Sequence, residues 1–331
     1  MHCSDGRDEA IPFVISVDGE EASGRYALPR GAPKGLVVFA HGYGHTSASW
    51  AEHLKRTSRD LDVISVGMDY RGIEIFPDSS GDGLPESRGW NVWKGAEDSV
   101  AAAQLFYDSC PMLHNRMFVI MGVSMGGNSS GLAVASGPRD SRGDPLFDYW
   151  IDVEGAVNMT ETYLSARAIA PVNAFGKQAQ DDIERETGGP IEEQPEEFRK
   201  RTVVARSAEI KASGIKGVVM IHGLDDGLVP YNQSRELDAL LTKEGIPTEM
   251  VTISRRSQKS ERETTATGYA MGPLYPAITG EDWTSPFAGH ASEKSTTHIV
   301  MVTGFEWLEK LFNGHVPTGN NQHLVDGGYT P

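Results

Sequence analysis

Short runs of β-branched and apolar residues alternate along this chain with longer amphipathic segments, and few architectures satisfy that alternation. Residues 35–40 (GLVVFA), 63–68 (VISVGM), 116–123 (RMFVIMGV), 149–153, 217–222 (GVVMIH) and 249–253 read as strands. Residues 47–59, 93–109, the stretch from a Gly-rich turn after 123 through 135, 231–244 and 297–312 read as helices. Strands that are apolar almost throughout must be covered on both faces, because a half-exposed strand alternates polar with apolar side chains. The expected class is α/β: a doubly wound, mostly parallel sheet with helices on both faces. Ligands bind such sheets at the carboxyl ends of the strands. The polar residues that follow each strand are therefore the first place to look for chemistry.

Two segments interrupt the alternation. Residues 158–213, mixed polar and apolar between two strands, are expected to form a helical cap or lid. Residues 254–289 make a long Gly/Pro/Thr/Ser stretch containing Tyr269, Met271, Tyr275 and Trp283, and long loops of this kind are often functional. The core is expected from 33–157 and 214–312, with 1–32 as a leader carrying an edge strand and 313–331 as a polar tail. No internal repeat or low-complexity linker is present.

With 46 acidic against 30 basic residues, the formal charge is −16. That balance speaks against a nucleic-acid partner, which requires a basic face, and against docking on anionic membranes. No run approaches the roughly 18 apolar residues of a membrane span. The opening MHCSDGRDEA has no apolar run, so it is no intact secretory signal. Localisation stays open between the cytoplasm and secretion after removal of a leader. Two cysteines, Cys3 and Cys110, make neither a disulfide framework nor a metal cluster; a pair and two free thiols are both open.

Gly122-Val123-Ser124-Met125-Gly126-Gly127 fits the G-x-S-x-G nucleophile elbow. A second match, Gly127-Asn128-Ser129-Ser130-Gly131, competes with it. Ser124 follows a strand and opens a helix, as the elbow requires, whereas Ser129 falls inside that helix and is expected to pack or face solvent. Acyl transfer also needs two N–H donors for the developing oxyanion. Met125 after the nucleophile and Tyr43 in Ala40-His41-Gly42-Tyr43-Gly44-His45, which follows an early strand, are the candidates.

A carboxylate after a late strand can orient a catalytic imidazole. Asp225 and Asp226 both fit in the 221–230 stretch (IHGLDDGLVP), and geometry alone does not choose between them; Asp152 and Glu154 are weaker candidates. The base is expected late in the chain. His290 precedes the last helix in a loop, His298 is expected within that helix, and His315 and His323 lie in the exposed tail. His53 and His114 read as surface residues. In the cap, Met159, Tyr163, Phe175 and Ile183 either line a substrate pocket or pack the cap's own core. No His/Cys/Asp set has metal-ligand spacing, so neither metal nor organic cofactor is expected. Of the N-x-[ST] matches at Asn128, Asn158 and Asn232, the first is expected to be buried.

Together HGYG, GVSMGG, HGLDDGLVP and a GH before the terminal helix resemble the α/β-hydrolase superfamily over about residues 33–312. The stretch 203–253 is most similar to the catalytic domain of prolyl-oligopeptidase-like enzymes. Their HGxxDxxVP motif carries the catalytic acid at its fifth position, which implies Asp226. Tyr43 after His-Gly and Met125 after the nucleophile also resemble cutinase-like esterases and polyester hydrolases. Prolyl oligopeptidases carry a large propeller for which this length leaves no room, and cutinase-like enzymes lack an insertion as long as 158–213. The resemblance implies an α/β-hydrolase fold and a serine hydrolase acting on a small-molecule or polymeric ester. Ser124, His290 and Asp226 would form the triad, with the N–H groups of Tyr43 and Met125 as oxyanion hole. A peptidase or amidase, an acyltransferase and a non-catalytic binding protein are the alternatives.

Overall fold

In the computed structural model, which describes residues 3–5, 7–79, 81–224, 226–253 and 290–325, the apolar runs sit at the centre of a twisted sheet. Strands β1 (Ile11–Val17) and β2 (Glu20–Ala27) form a hairpin, followed by β3 (Gly35–Ala40), helix α1 (Ala51–Leu61) and β4 (Ile64–Met68). A small separate hairpin, β5 (Glu74–Phe76) with β6 (Glu86–Arg88), leads into α2 (Val92–Ser109), β7 (Met117–Val123), α3 (Met125–Ala135) and β8 (Tyr149–Val153). Helices α4 (Met159–Ile169), α5 (Ala174–Thr187), α6 (Pro195–Arg201) and α7 (Ser207–Ser213) precede β9 (Gly217–Gly223). Helix α8 (Asn232–Lys243), β10 (Thr248–Ile253), α9 (Ile299–Phe312) and β11 (Asn320–Val325) complete the described chain.

The sheet order is β1-β2-β4-β3-β7-β8-β9-β10-β11, antiparallel across the first two junctions and parallel from β4 onward. Period-two alternation sorts each central strand between two cores. Leu36, Val38, Phe118, Ile120, Val218 and Met220 join Phe106, Leu132, Ile210 and Leu237 of α2, α3, α7 and α8 on one face. Val37, Phe39, Val119, Met121, Val219 and Ile221 meet Leu54 of α1 and Leu308 of α9 on the other. Each such fully buried side chain contributes about 1.5–3 kcal/mol. Every strand assigned from sequence is present within a residue or two at its ends, and the sheet is doubly wound as expected.

Other expectations need revision. The leader holds two strands, turned by Asp18 and Gly19 at φ +52° and +83°, the left-handed pair that a two-residue hairpin turn demands. Of the two states open for the cysteines, the structure has the pair: Cys3 and Cys110 are joined in a disulfide that ties the leader to the end of α2. In the supposed tail, residues 320–325 add a parallel edge strand, where His323 and Asn321 both bond to the Glu249 carboxylate. Its NNQHLV sequence has no apolar face, so composition conceals it. His53 is not a surface residue: it lies beside Leu54, Thr57 and Ser58 on the inner stripe of α1 and stacks on Phe305 at 4.2 Å. His298 is the N-cap of α9 rather than an interior residue.

The inserted cap is shorter than 158–213. Helices α4, α5 and α6 pack on one another through Tyr163, whose ring lies 4.8 Å from that of Phe198 and whose hydroxyl donates to Glu184. Residues 203–213 instead belong to the helix layer over the sheet, where Val203 fits so closely that a Cβ on Gly131 would meet it at 2.7 Å. No described helix is long and apolar enough to cross a membrane. Residues 254–289, with Tyr269, Met271, Tyr275 and Trp283, lie outside the described residues, as does Asp225.

Candidate active site

Because β3, β7, β8 and β9 are parallel neighbours, their carboxyl ends present four loops side by side. Ala40 pairs opposite Gly122, and Val123 opposite Val153, which pairs with Ile221. In that row stand the 41–45 turn, Ser124, Glu154 and Asp226.

Ser124 joins β7 directly to α3 at φ +56°, ψ −124°, a conformation that costs a non-glycine residue about 1–3 kcal/mol. Its backbone is held by Ser124 N–H to Val153 O at 3.0 Å and by Gly127 and Ala156 N–H to Ser124 O at 2.9 and 3.0 Å. The flanking glycines are required by space rather than by flexibility. A Cβ on Gly122 would lie 2.0 Å from Gly126 O, one on Gly126 2.1 Å from Ala40 O, and one on Gly127 2.4 Å from Gly155 Cα. Ser129, the rival, is fully buried inside α3 with its hydroxyl against Met125 O, and Asn128 is buried beside it.

Asp226 and His290 meet in a 2.7 Å hydrogen bond from Nδ1 to Oδ2. The other carboxylate oxygen accepts Leu228 and Val229 N–H at 2.8 and 2.9 Å, which fixes its orientation. His222 lies 3.3 Å from Asp226 Oδ2 and is itself held by Ser234 and Val229 O. Burial would raise the Asp226 pKa, but His290 and His222 outweigh it and hold the carboxyl below the usual range. For His290, burial would lower the pKa; Asp226 by charge and hydrogen bond, with Glu154 and Glu293, raises it to about 9. Nδ1 being taken by Asp226, Nε2 makes no hydrogen bond among the described residues.

A second carboxylate stands behind this pair. Glu154, at φ +47°, accepts Gly223 N–H and Ala291 N–H at 3.0 and 2.5 Å and lies 3.6 Å from His290 Nδ1. Burial, then the nearby Asp226 charge, pushes its pKa up to about 7. Glu154, Asp226 and His290 have ligand atoms within 4.8 Å of one another, but the hydrogen bonds between them and to backbone N–H groups already use those atoms. Asp152, fully buried under the elbow, makes no hydrogen bond to His290.

In the 41–45 turn, His41 stacks on Tyr70 at 3.9 Å, and Gly42 N–H donates to Glu293 Oε1 at 2.7 Å. Tyr43 follows, with its hydroxyl donating to Asp182 of α5 at 2.5 Å and its ring 5.7 Å from Trp90 and 5.8 Å from Phe175. Met125 opens α3, where the first N–H groups have no partner within the helix.

Residues 56–269 match the prolyl oligopeptidase family over well over half of the chain. The chain belongs to that family. It is also 28% identical over 128 residues to human monoglyceride lipase, covering 39% of each chain. Among solved structures it resembles Pyrococcus horikoshii acylaminoacyl peptidase (17% identity, TM-score 0.54, 75% of this chain and 37% of that one). It likewise resembles a puromycin-hydrolysing peptidase of Mycobacterium tuberculosis (15% identity, TM-score 0.53, 95% and 42%). The chain thus spans about two fifths of these relatives. Their common architecture is the α/β-hydrolase fold.

For a chain of the prolyl oligopeptidase family, the cap is the part that sequence reading resolved least. Met159, Tyr163 and Ile183 are fully buried and present no surface to a ligand; they pack the cap's interior. Phe175 is half-buried beside Tyr43, at the cap's contact with the 41–45 turn. Sequence reading passed over Glu293, Asp182 and His222. Only the last had a signal, the His that opens HGxxDxxVP.

Proposed function

We propose that this chain hydrolyses carboxylic esters, of a small molecule or a polymer, through an acyl-enzyme on Ser124. The Asp226–His290 hydrogen bond at the same sheet edge as the strained Ser124 carries the reading. His290 Nε2 takes the Ser124 proton as Oγ bonds to the ester carbonyl carbon, and the carbonyl electron pair moves onto oxygen. Tyr43 and Met125 N–H groups receive that oxyanion. On its collapse the C–O bond to the alcohol breaks, and the imidazolium returns the proton to the leaving oxygen. Water then repeats the sequence to release the acid. Asp226 keeps the Nδ1–H tautomer and offsets the imidazolium charge. Phe175 and Tyr43 border the substrate, where an apolar acyl or alcohol group fits their rings.

The helical cap and the partial similarity to monoglyceride lipase support an ester. Membership of the prolyl oligopeptidase family supports the second reading, an amide or peptide substrate. The test is a p-nitrophenyl ester series from acetate to long chains, beside the p-nitroanilide of the best acyl group. Ester turnover that falls by several orders of magnitude in Ser124→Ala and His290→Ala sustains the proposal. Faster turnover of the anilide moves it to the peptidase reading, and inertness on both defeats it.

A further inference from the structure

We infer that Glu293 is a positioning residue of this site, its carboxylate locking the oxyanion loop to the segment that carries the base. The inference rests on the serine-hydrolase reading above and extends it beyond the triad. Glu293 comes three residues after His290 and is 1% exposed. Both of its oxygens are spent on one turn: Oε1 accepts Gly42 N–H at 2.7 Å, and Oε2 lies 2.6 Å from His45 Nδ1. Gly42 immediately precedes Tyr43, so the tether acts one residue from the assigned oxyanion donor. The nucleophile is close by, since a Cβ on Gly42 would stand 3.3 Å from Ser124 Cβ and 3.6 Å from Glu293 Oε1. One buried carboxylate therefore joins the oxyanion turn, which passes close to the nucleophile, to the His290 segment, across 251 positions in sequence.

A simpler structural role does not account for it. Helix α9 is capped by His298 and has no need of Glu293. Packing alone would be served by an apolar side chain without the desolvation cost of a buried charge. What a carboxylate adds is direction, through a charge-assisted hydrogen bond from Gly42 N–H and a close contact with His45, and a fixed charge. Burial would raise its pKa, but His45 and the N–H donors outweigh that and hold it at about 2, so it stays ionised. The titratable groups that act on His290 are Asp226, Glu154, Glu293 and His298, with His222 against the far side of Asp226. Among these, Asp226, Glu154 and Glu293 favour the imidazolium.

The test uses Glu293→Gln and Glu293→Asp in the full chain, with Ser124→Ala as blank. Hydrolysis of p-nitrophenyl acetate is followed against pH, active sites are titrated with a fluorophosphonate, and Tm is recorded. In Glu293→Gln, kcat per titrated site should fall roughly 10- to 100-fold from the loosened geometry, with KM nearly unchanged. The acid limb of kcat/KM should move to lower pH, because a negative charge near the imidazolium has gone. Glu293→Asp keeps the charge but shortens the reach by one methylene, so it should lose kcat with its limb in place. Wild-type kcat per site and an unmoved limb in Glu293→Gln, whatever its Tm, would overturn the inference. If that variant does not fold, wild-type kcat in Glu293→Asp does the same. A wild type inert on every ester overturns the hydrolase reading and takes this inference with it, a result distinct from either.

Discussion

Replacing Asp226 by Asn tests the site with almost no change of shape. The aspartate's two oxygens have separate duties: one accepts Leu228 and Val229 N–H, the other accepts His290 Nδ1–H at 2.7 Å. An asparagine can satisfy the first duty with its carbonyl, which turns its NH2 toward Nδ1. Donor then faces donor, and the ring relieves the conflict by moving its proton to Nε2. In the proposed mechanism that is the nitrogen that accepts the Ser124 proton. The expected loss in kcat is about 10⁴-fold, the size this change of tautomer produces in a serine protease, equivalent to roughly 5.5 kcal/mol of transition-state stabilisation. Glu154 limits any rescue, since its oxygen 3.6 Å from Nδ1 already accepts Ala291 N–H. The sign of the pH effect is equally specific. In the wild type kcat/KM should rise with pH as His290 loses its proton, through an apparent pKa near 9. Without the Asp226 charge that limb should shift to lower pH while the plateau drops. Stopped-flow hydrolysis of p-nitrophenyl acetate from pH 5 to 10 reads both. An Asn variant within tenfold of wild type, or one whose limb stays in place, refutes the assignment of Asp226.

Further outcomes follow from the same geometry. Gly126→Ala sets a Cβ 2.1 Å from the backbone oxygen of Ala40; nothing flexible is there to yield, so it should cost about 1–3 kcal/mol or more and remove activity, read by chemical denaturation and ester turnover. Tyr43→Phe deletes the hydrogen bond to Asp182 but keeps the ring and the N–H; a loss of about 2 kcal/mol should lower Tm by roughly 3 °C in a chain of this length, with acetate turnover within a few-fold. Reduction of the Cys3–Cys110 disulfide, which spans 107 residues, should lower stability by up to about 5 kcal/mol on chain-entropy grounds, measured by urea denaturation with and without dithiothreitol. Because the His290 pKa is raised on folding, its contribution to stability is complete below the ordinary value of 6.5 and disappears as pH rises through about 9; denaturation of wild type and His290→Ala across that window should converge at the alkaline end.

The parts of this molecule that sequence exposes are those in which one residue type is forced by one local requirement. Buried strands must be apolar on both faces, so β3, β7 and β9 are evident from composition. The glycines at 122, 126 and 127 announce a turn with no room for side chains. Asp226 and His290 were reached through motif resemblance and their place beside a strand and a helix. What stayed hidden is set by partners distant in sequence. Glu293 and Asp182 are ordinary acidic residues until the fold brings Gly42 and Tyr43 to them. His53 reads as a surface residue because one histidine among the polar residues of α1 gives no sign of which face is inward. Strand β11 stays concealed because an exposed edge strand needs no apolar side, and Met159 and Tyr163 stay open between two roles because a cap's interior and a pocket's wall use the same residue types.

Tyr43 links two parts of the protein that are usually treated as exchangeable. Its main chain belongs to the loop beside the nucleophile, while its side chain is bonded to α5 of the cap. Cap helices are an obvious target for protein engineers seeking a new substrate range, since they are inserted between two strands with their own small core. Here such an exchange would also remove Asp182 and Phe175 from around Tyr43, and the new cap would have to make good the stability lost with that hydrogen bond while it changes selectivity. A successful graft would have to carry an acceptor for the Tyr43 hydroxyl at the position of Asp182. Cap and 41–45 loop are in this sense a single transplantable unit, although 139 positions of sequence separate the two residues that join them.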